Sequence, residues 1–123
     1  MPDPIIALPL APERLSAVGT SFTIKEWQGS GPAALHVHHA DDEAWHILEG
    51  HLHFQFADRE IDVAAGSTVF VPAGCAHTYQ ARDARYLIIL TPRLDALIRE
   101  LQATPDRSAH PGVYRKYDST LLE

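Results

Sequence analysis

His36-Val37-His38-His39-Ala40-Asp41-Asp42-Glu43 is the stretch around which the chain is organised, and the loop Pro72-Ala73-Gly74-Cys75-Ala76-His77 complements it later in the sequence. Two histidines separated by one residue project from the same face of an extended strand, because side chains alternate with a period of two. The two aspartates favour a turn, so a hairpin would return Glu43 to the histidines. The pattern predicts a metal site formed by His36, His38, Glu43 and His77.

The composition is that of one soluble globular domain. The chain has 123 residues, of which 46% are hydrophobic and 21% are charged, within the usual range for such domains. Its formal net charge is -6, whereas nucleic acids and anionic membranes attract patches of Lys and Arg. We therefore expect neither a nucleic acid nor a membrane as a partner.

The cysteine content and the N-terminus favour a cytoplasmic location. Cys75 is the single cysteine, so the chain cannot form an internal disulfide. The first residues, Met1 to Ile6, lack the basic start and the long apolar core of a signal peptide. No run approaches the roughly 18 consecutive apolar residues of a membrane-spanning helix.

Residues 1–12 are expected to form an extended arm, because four prolines (Pro2, Pro4, Pro9, Pro12) prevent helix propagation. The arm also carries the apolar residues Ile5, Ile6, Leu8 and Leu10. An exposed apolar arm is a liability in a monomer, so we expect it to add to a sheet edge of its own core or of a second subunit. The second possibility predicts a homodimer.

Residues 13–91 contain short alternating runs separated by turn signals. A tight turn is predicted at Glu49-Gly50, and Pro72 ends a later run. Short strands that recur with such signals are typical of an all-β sandwich or barrel. The strands predicted besides the one that carries His36 and His38 are 21–27, 44–48, 51–56, 61–64, 68–71, 77–81 and 85–90.

One helix is predicted after this β domain, over residues 92–104. Thr91 supplies an N-cap and Pro92 occupies the first helical position. Leu94, Leu97, Ile98 and Leu101 then recur at intervals of three and four residues. Residues 105–123 show no clear period and are predicted to be irregular.

The two histidine motifs resemble those of the cupins, small metal-binding β-barrels of the jelly-roll type. The first cupin motif is matched by His36-Val37-His38, four residues, Glu43, six residues and Gly50, while its leading glycine is off by one position, at Gly31 or Gly29. The second is matched by Gly66, Pro72, Gly74 and His77, with Ala81 in place of its closing asparagine. The motifs cover residues 31–81.

The resemblance to the small quercetin-dioxygenase-like cupins extends more loosely through the strand from Leu87 to Leu90 and the following helix. It implies a jelly-roll fold and one divalent metal per chain. Three imidazoles and one carboxylate suit Fe or Mn, which we place first, and also Ni, Co, Cu or Zn. Four protein ligands would leave one or two positions open for water, dioxygen or a chelating substrate. Glu43 has a second possible role, as a general base.

Strand alternation also predicts which other side chains lie beside the metal. Trp45 and Ile47 share the parity of Glu43, and Tyr79 shares that of His77, so these three are expected to line a substrate pocket. The competing interpretation is ordinary hydrophobic core. Tyr79 is the candidate for moving a proton alongside Glu43. His51 and His53 alternate with Leu52 and Phe54, so they are expected to face solvent or an interface. His39 is expected to point away from the site if the strand stays regular there; the alternative is that it supports a ligand from behind.

Three functions remain open at this point. The first is a metal-dependent dioxygenase acting on a small enol, flavonol or diketone-like molecule. The second is a redox-neutral isomerase, lyase or cyclase that uses the metal as a Lewis acid. The third is a small-molecule-binding protein without turnover.

Overall fold

A computed structural model describes residues 2–9, 13–32 and 34–122 of the chain, and β-strands are the most abundant regular structure among them. The strands and helices, in chain order, are β1 (Ser16–Val18), β2 (Thr23–Trp27), β3 (His36–His38), β4 (Glu43–Phe56), β5 (Glu60–Ala64), β6 (Thr68–Val71), β7 (His77–Leu90), α1 (Pro92–Gln102), α2 (His110–Lys116) and β8 (Ser119–Leu121).

The strands form one antiparallel, curled sheet of the jelly-roll type. Strand β7 lies at its centre and pairs with β2, β3 and β4, while β4 pairs in addition with β5 and β6. Strand β1 continues the sheet beyond β2, and β8 continues it beyond β3. The predicted all-β fold is confirmed. Strand β1 was not predicted; its three residues pair with Thr23–Lys25.

The predicted turn at Glu49-Gly50 is wrong, because β4 runs without a break from Glu43 to Phe56. The strand is instead bulged there: its register against β7 shifts between Ile47 and Glu49 and again between Glu49 and His51. Gly50 adopts a φ of 73°, which glycine tolerates and other residues avoid. The bulge changes the inward parity from odd positions (Glu43, Trp45, Ile47) to even ones (Leu52, Phe54).

The two strands predicted at 77–81 and 85–90 are likewise one strand, β7. Asp83 has a φ of 48° and interrupts the alternation without ending the pairing. The inward residues are His77 and Tyr79 before it, and Ala84 and Tyr86 after it. The two bulges pack against each other, since a Cβ on Gly50 would lie 2.1 Å from the Asp83 carbonyl oxygen.

The core fills the space inside the curled sheet and beneath the C-terminal helices. Strands β4 and β7 contribute most of its large side chains, and α1 and α2 cover the open end. The largest fully buried side chains are Trp45, Tyr86, Tyr114, Phe54, Ile47, Leu52, Leu90, Leu94 and Leu97. Burial of such side chains is the main stabilising contribution to a fold of this size.

Helix α1 begins as predicted and ends two residues earlier than predicted, at Gln102. The Leu94 N–H donates to the Thr91 hydroxyl at 3.1 Å, and Pro92 opens the first turn. Leu94 and Leu97 are buried against the sheet. The Lys25 ammonium on β2 contacts the Asp95 carboxylate at 2.5 Å, which fixes the helix over the end of the barrel.

The prediction of an irregular tail over residues 105–123 is wrong. The tail forms a 3-10 turn at Arg107–Ala109, helix α2 and strand β8. Strand β8 is only three residues long and pairs with β3, far away in sequence. Its extended conformation depends on that partner and leaves no alternating pattern of its own.

The arm has no regular secondary structure over its described residues 2–9. Ile5, Ile6 and Leu8 are 63%, 75% and 69% exposed, so these residues do not pack on the core of their own chain. Leu10, the fourth apolar residue of the predicted arm, and Pro12 lie outside the described residues. Among the helices of the described residues, none has the length and apolar character required to cross a bilayer.

The contact between the two bulges makes Gly50 sensitive to substitution. We expect Gly50→Ala to lower the free energy of unfolding by roughly 3 to 4 kcal/mol, because an unfavourable φ is combined with a steric overlap against backbone. Gly66→Ala is the matched control, since Gly66 also has a positive φ, 91°, but open space around its Cβ position. It should cost about 1 to 2 kcal/mol. Equal losses in urea unfolding of the two variants would contradict the packing of the bulges.

Candidate metal centre

Three histidines from two strands converge inside the barrel. His36 and His38 lie on β3, and His77 is the first residue of β7. Each residue offers a ligand nitrogen, and the three nitrogens all lie within 4.8 Å of one another. The side chains are buried, with exposures of 4%, 5% and 1%. Three buried histidines could therefore hold a metal ion.

Strand register brings these residues together. His36 is the direct cross-strand partner of His77, and the centroids of their rings are 4.4 Å apart. His38 lies two positions further along β3, so its ring projects from the same face and lies 5.0 Å from His36 and 5.3 Å from His77. The Gly74 N–H donates to the His38 carbonyl at 2.7 Å and anchors the loop that precedes His77.

Each histidine is oriented by a hydrogen bond from its outer ring nitrogen, Nδ1. The acceptors are the Ala34 carbonyl for His36 at 3.0 Å and the Cys75 carbonyl for His77 at 3.0 Å. Because a carbonyl can only accept, these two Nδ1 atoms carry the proton. The Ser119 hydroxyl donates to the Tyr117 carbonyl, so it accepts from Nδ1 of His38 at 2.7 Å. All three Nε2 atoms are left for the interior.

Glu43 contributes a carboxylate to the same point. Its Oε1 lies 3.1 Å from Nε2 of His77 and 3.3 Å from Nε2 of His38. Burial raises the pKa of this carboxyl, but hydrogen bonding and charge interactions with His38 and His77 more than offset burial and lower the pKa to about 2. Glu43 is therefore an anion at neutral pH, although it is only 6% exposed.

His36 is neutral at the same pH. Burial, followed by the neighbouring His77, lowers the pKa of His36 to about 3, against the opposing effect of the bond to Ala34. A neutral imidazole with an unprotonated Nε2 is the form that binds metals. Its protonation state thus already suits a ligand.

The four side chains fit a divalent metal ion because they are all acceptors. Each Nδ1–H group donates outward. The inward Nε2 atoms of His38 and His77 therefore present lone pairs to the Glu43 carboxylate unless they carry a proton. A proton or a metal cation is required between them, since acceptors alone repel one another. His36, His38 and Glu43 also line a small cavity of about 30 Å³, which is enough for an ion or a water molecule.

Tyr79 lies on the wall of this small cavity, as strand parity predicted, but its hydroxyl is already engaged. Tyr86 donates to the Gly29 carbonyl, so Tyr79 donates to the Tyr86 oxygen at 2.9 Å. Burial raises the pKa of Tyr79 to about 12. Tyr79 is therefore protonated at neutral pH and is better suited to shape the cavity than to accept a proton.

Trp45 and Ile47 are fully buried on the same face of β4 as Glu43. The Trp45 ring packs against His77 and Tyr79, with centroids 5.6 Å and 5.3 Å away. Neither Trp45 nor Ile47 contributes to the walls of the small cavity or of a larger cavity next to it. The structure thus supports core packing for both, the competing interpretation of the sequence analysis.

The histidine that follows β3 and the other histidines of β4 lie away from the centre. His39 bonds to the Thr120 hydroxyl at 2.7 Å, and His46 bonds to Thr68 at 2.8 Å. His51 is exposed, and His53 forms ion pairs with Glu60 and Asp62. The outward direction predicted for His39, His51 and His53 agrees with these contacts.

Sequence reasoning missed two residues that the tail brings to the site, Ser119 and Tyr114. The Ser119 hydroxyl accepts a hydrogen bond from His38, and the Tyr114 ring lies 5.4 Å from the His36 ring. A signal for Tyr114 was present: Val113, Tyr114 and Tyr117 form a short apolar stripe with helical spacing after Pro111. No comparable local signal marks Ser119, because its role depends on the pairing of β8 with β3.

Comparison with known protein families identifies the domain that carries the site. The Cupin_2 family, described as a cupin domain, matches residues 22–91, more than half of the chain. The protein belongs to this cupin family. The matched segment contains all four side chains of the centre, and the pairing strand β8 and both helices lie outside it.

Solved cupin-like structures share the fold at low sequence identity. A cupin protein from Bacteroides fragilis superposes with a TM-score of 0.55 at 18% identity, covering 70% of this chain and 82% of that one. KdgF from a Halomonas species gives 0.56 at 17% identity, with 73% and 90% covered. A variant of Streptomyces PAC13 with uridine gives 0.54 at 14% identity, with 65% and 75% covered.

A curated relative covers a shorter segment. An uncharacterised protein from Streptomyces coelicolor is 36% identical over 56 residues, which are 44% of this chain and 53% of that protein. The match thus spans about half the length of the relative. Together with the structural similarities it supports the fold of the chain and leaves its reaction to be inferred from the site.

The contact between Ser119 and His38 predicts a role for the tail in metal affinity. Ser119→Ala removes the acceptor that orients the His38 ring, so we expect the affinity for Co(II) or Zn(II) to fall by about 10- to 100-fold. A competition titration against a chromophoric chelator measures this. Thr120→Ala is the control, since Thr120 contacts the outward His39. Equal affinities of the two variants would show that Ser119 does not orient a ligand.

Proposed function

We propose that this cupin is a metal-dependent, quercetin-dioxygenase-like oxidoreductase that acts on a small organic substrate with an enol, flavonol or diketone-like group. The observation that carries the proposal is the donor set: three histidines orient Nε2 inward by outward hydrogen bonds, and the Glu43 carboxylate meets them. Mixed imidazole and carboxylate ligands are typical of Fe and Mn sites that activate dioxygen.

The residues that would hold the metal are His36, His38, His77 and Glu43. A bound Fe(II) or Mn(II) would supply Lewis acidity and a one-electron route to dioxygen. The protein's own contribution is to fix the three ring orientations and to keep the histidines buried. Such a supported set of ligands leaves little freedom for rearrangement when a substrate enters.

Glu43 is better suited to be a ligand than a general base in this proposal. A carboxyl whose pKa is lowered to about 2 holds a proton weakly at neutral pH, so it is a poor acceptor for a substrate proton. Its negative charge instead offsets part of the charge of a divalent cation in a buried site. Tyr79 contributes a wall through its ring, because its hydroxyl proton is donated to Tyr86.

Apolar side chains around the centre would exclude water from the reaction. Leu94, Leu97 and Ile98 of α1 line the small cavity opposite the ligands. Electrostatic interactions are stronger in such a dry environment than in water. Helix α1 therefore contributes the apolar wall of the proposed active site.

The proposal predicts metal-dependent oxygen consumption. The protein loaded with Fe(II) or Mn(II) should consume dioxygen in an oxygen-electrode assay with a flavonol or a 1,2-diketone. The triple variant His36→Ala, His38→Ala, His77→Ala should lose its metal by elemental analysis, lose the activity and melt at a lower temperature, since the metal binds the folded state. His51→Ala, on the exposed outer face of β4, is the control and should retain all three properties.

The outcomes of this assay separate the remaining functions. Turnover that persists without dioxygen and with Zn(II) would indicate a redox-neutral isomerase, lyase or cyclase. Stoichiometric binding of the organic molecule without a product would indicate a binding protein. Unchanged metal content in the triple variant would remove the metal site itself.

We also propose that the protein is a cytoplasmic homodimer. The exposed apolar residues of the arm, Ile5, Ile6 and Leu8, support an interface with a second copy, and the lone Cys75 suits a reducing compartment. Light scattering should give twice the monomer mass, and serine at all three arm positions should give the monomer. Phe70→Ser, at an exposed residue of β6, is the control and should stay dimeric. A monomer mass for the unmodified protein would contradict the dimer.

A further inference from the structure

A cavity of about 500 Å³ adjoins the metal centre. It lies between strands β2 and β7 and the two C-terminal helices. It shares six wall residues with the small cavity at the ligands, namely Pro32, Tyr79, Ile88, Ile98, Leu101 and Tyr114. Its volume is in the range of about 300 to 1,000 Å³ that is typical of small-molecule sites.

The charged residues of its wall are unusual for this chain. The wall contains Lys25, Arg99 and Arg107 but a single carboxylate, Asp95, whereas the whole protein has a formal charge of -6. Asp95 is already shared, since Oδ1 contacts Lys25 at 2.5 Å and Oδ2 contacts Arg99 at 3.3 Å. Within residues 2–9, 13–32 and 34–122, the Arg107 guanidinium has no ion pair. The wall therefore has an excess of positive charge, which favours an anion.

Tyr114 lies where the two cavities meet, because it lines both of them. Tyr114 is 1% exposed, and its hydroxyl finds no hydrogen-bond partner among the described residues. Its ring lines both cavities and packs against His36. Buried hydroxyls without a partner are rare and indicate a missing one. A ligand in the larger cavity would supply the acceptor.

We propose that the larger cavity binds a small organic anion with an apolar, ring-sized body, whose acidic group contacts Arg107 and whose oxygen accepts from the Tyr114 hydroxyl. The ring packs against Trp27, Tyr79 and Leu101, which line the cavity. This proposal names a substrate class for the proposed active site, so its relevance to catalysis rests on the proposed function. Binding of the anion itself does not require turnover. Neutral and cationic molecules of the same shape are discriminated against.

Two probes of equal shape test the inference. Titration calorimetry of the full-length protein as purified compares 2-naphthoate with 2-naphthamide, which share the ring and the carbonyl oxygen and differ in charge. We expect the carboxylate to bind roughly tenfold more tightly. Arg107→Gln should remove most of this preference, while Arg59→Gln should keep it, since Arg59 lies exposed beside Asp58. Tyr114→Phe should weaken both probes by about fivefold.

Repeating the titration on chelator-treated protein separates this inference from the proposed function. A preference that persists without metal and disappears in Arg107→Gln supports the cavity, even if no oxygen is consumed. A preference that is lost with the metal and kept in Arg107→Gln places the carboxylate on the metal and overturns the inference, while the proposed function stands. Failure of both probes to bind, equal affinities in the unmodified protein, or an unchanged Tyr114→Phe variant would also overturn it.

Discussion

The structure depends on the back-to-back bulges of the two long strands. Gly50 in β4 and Asp83 in β7 both adopt a positive φ, and the backbone of one lies directly against that of the other. At this point each strand changes which parity faces the interior. Both halves of each strand can therefore turn side chains inward, so that β4 and β7 contribute to the core along their length and carry Glu43 and His77 near one end, without a break in the hydrogen-bonded pairing.

The same constraint decides where the ligands lie. On the ligand side of its bulge, β4 turns Glu43 inward, and β7 starts with His77 facing His36 across the strand pair. Each histidine is then held by an acceptor outside the cavity, so its position and its proton are fixed by the backbone and by Ser119. When the inward nitrogens are unprotonated, every inward group accepts, and a proton or a cation is required between these groups.

The strands of the fold and the grouping of the site residues could largely be predicted from the sequence, because both depend on alternation between residues that are close together in the chain. Alternation within a single strand segment was enough to group His36 with His38 and to bury Trp45 and Ile47. The bulges could not be predicted, because Gly50 has the sequence signature of a hairpin turn and only its contact with β7 keeps the chain extended. The place of Ser119 was equally hidden, since β8 is a strand only through its pairing with β3.

The tail that showed no pattern in the sequence thus determines the surroundings of the centre. Strand β8 orients His38 through Ser119, α2 contributes Tyr114, and the turn before it contributes Arg107. His36, His38, Glu43 and His77 lie within the matched cupin segment, whereas these three groups lie outside it. Our proposals therefore assign metal binding to the part of the chain shared with the family, and recognition of an organic ligand to the part that follows it.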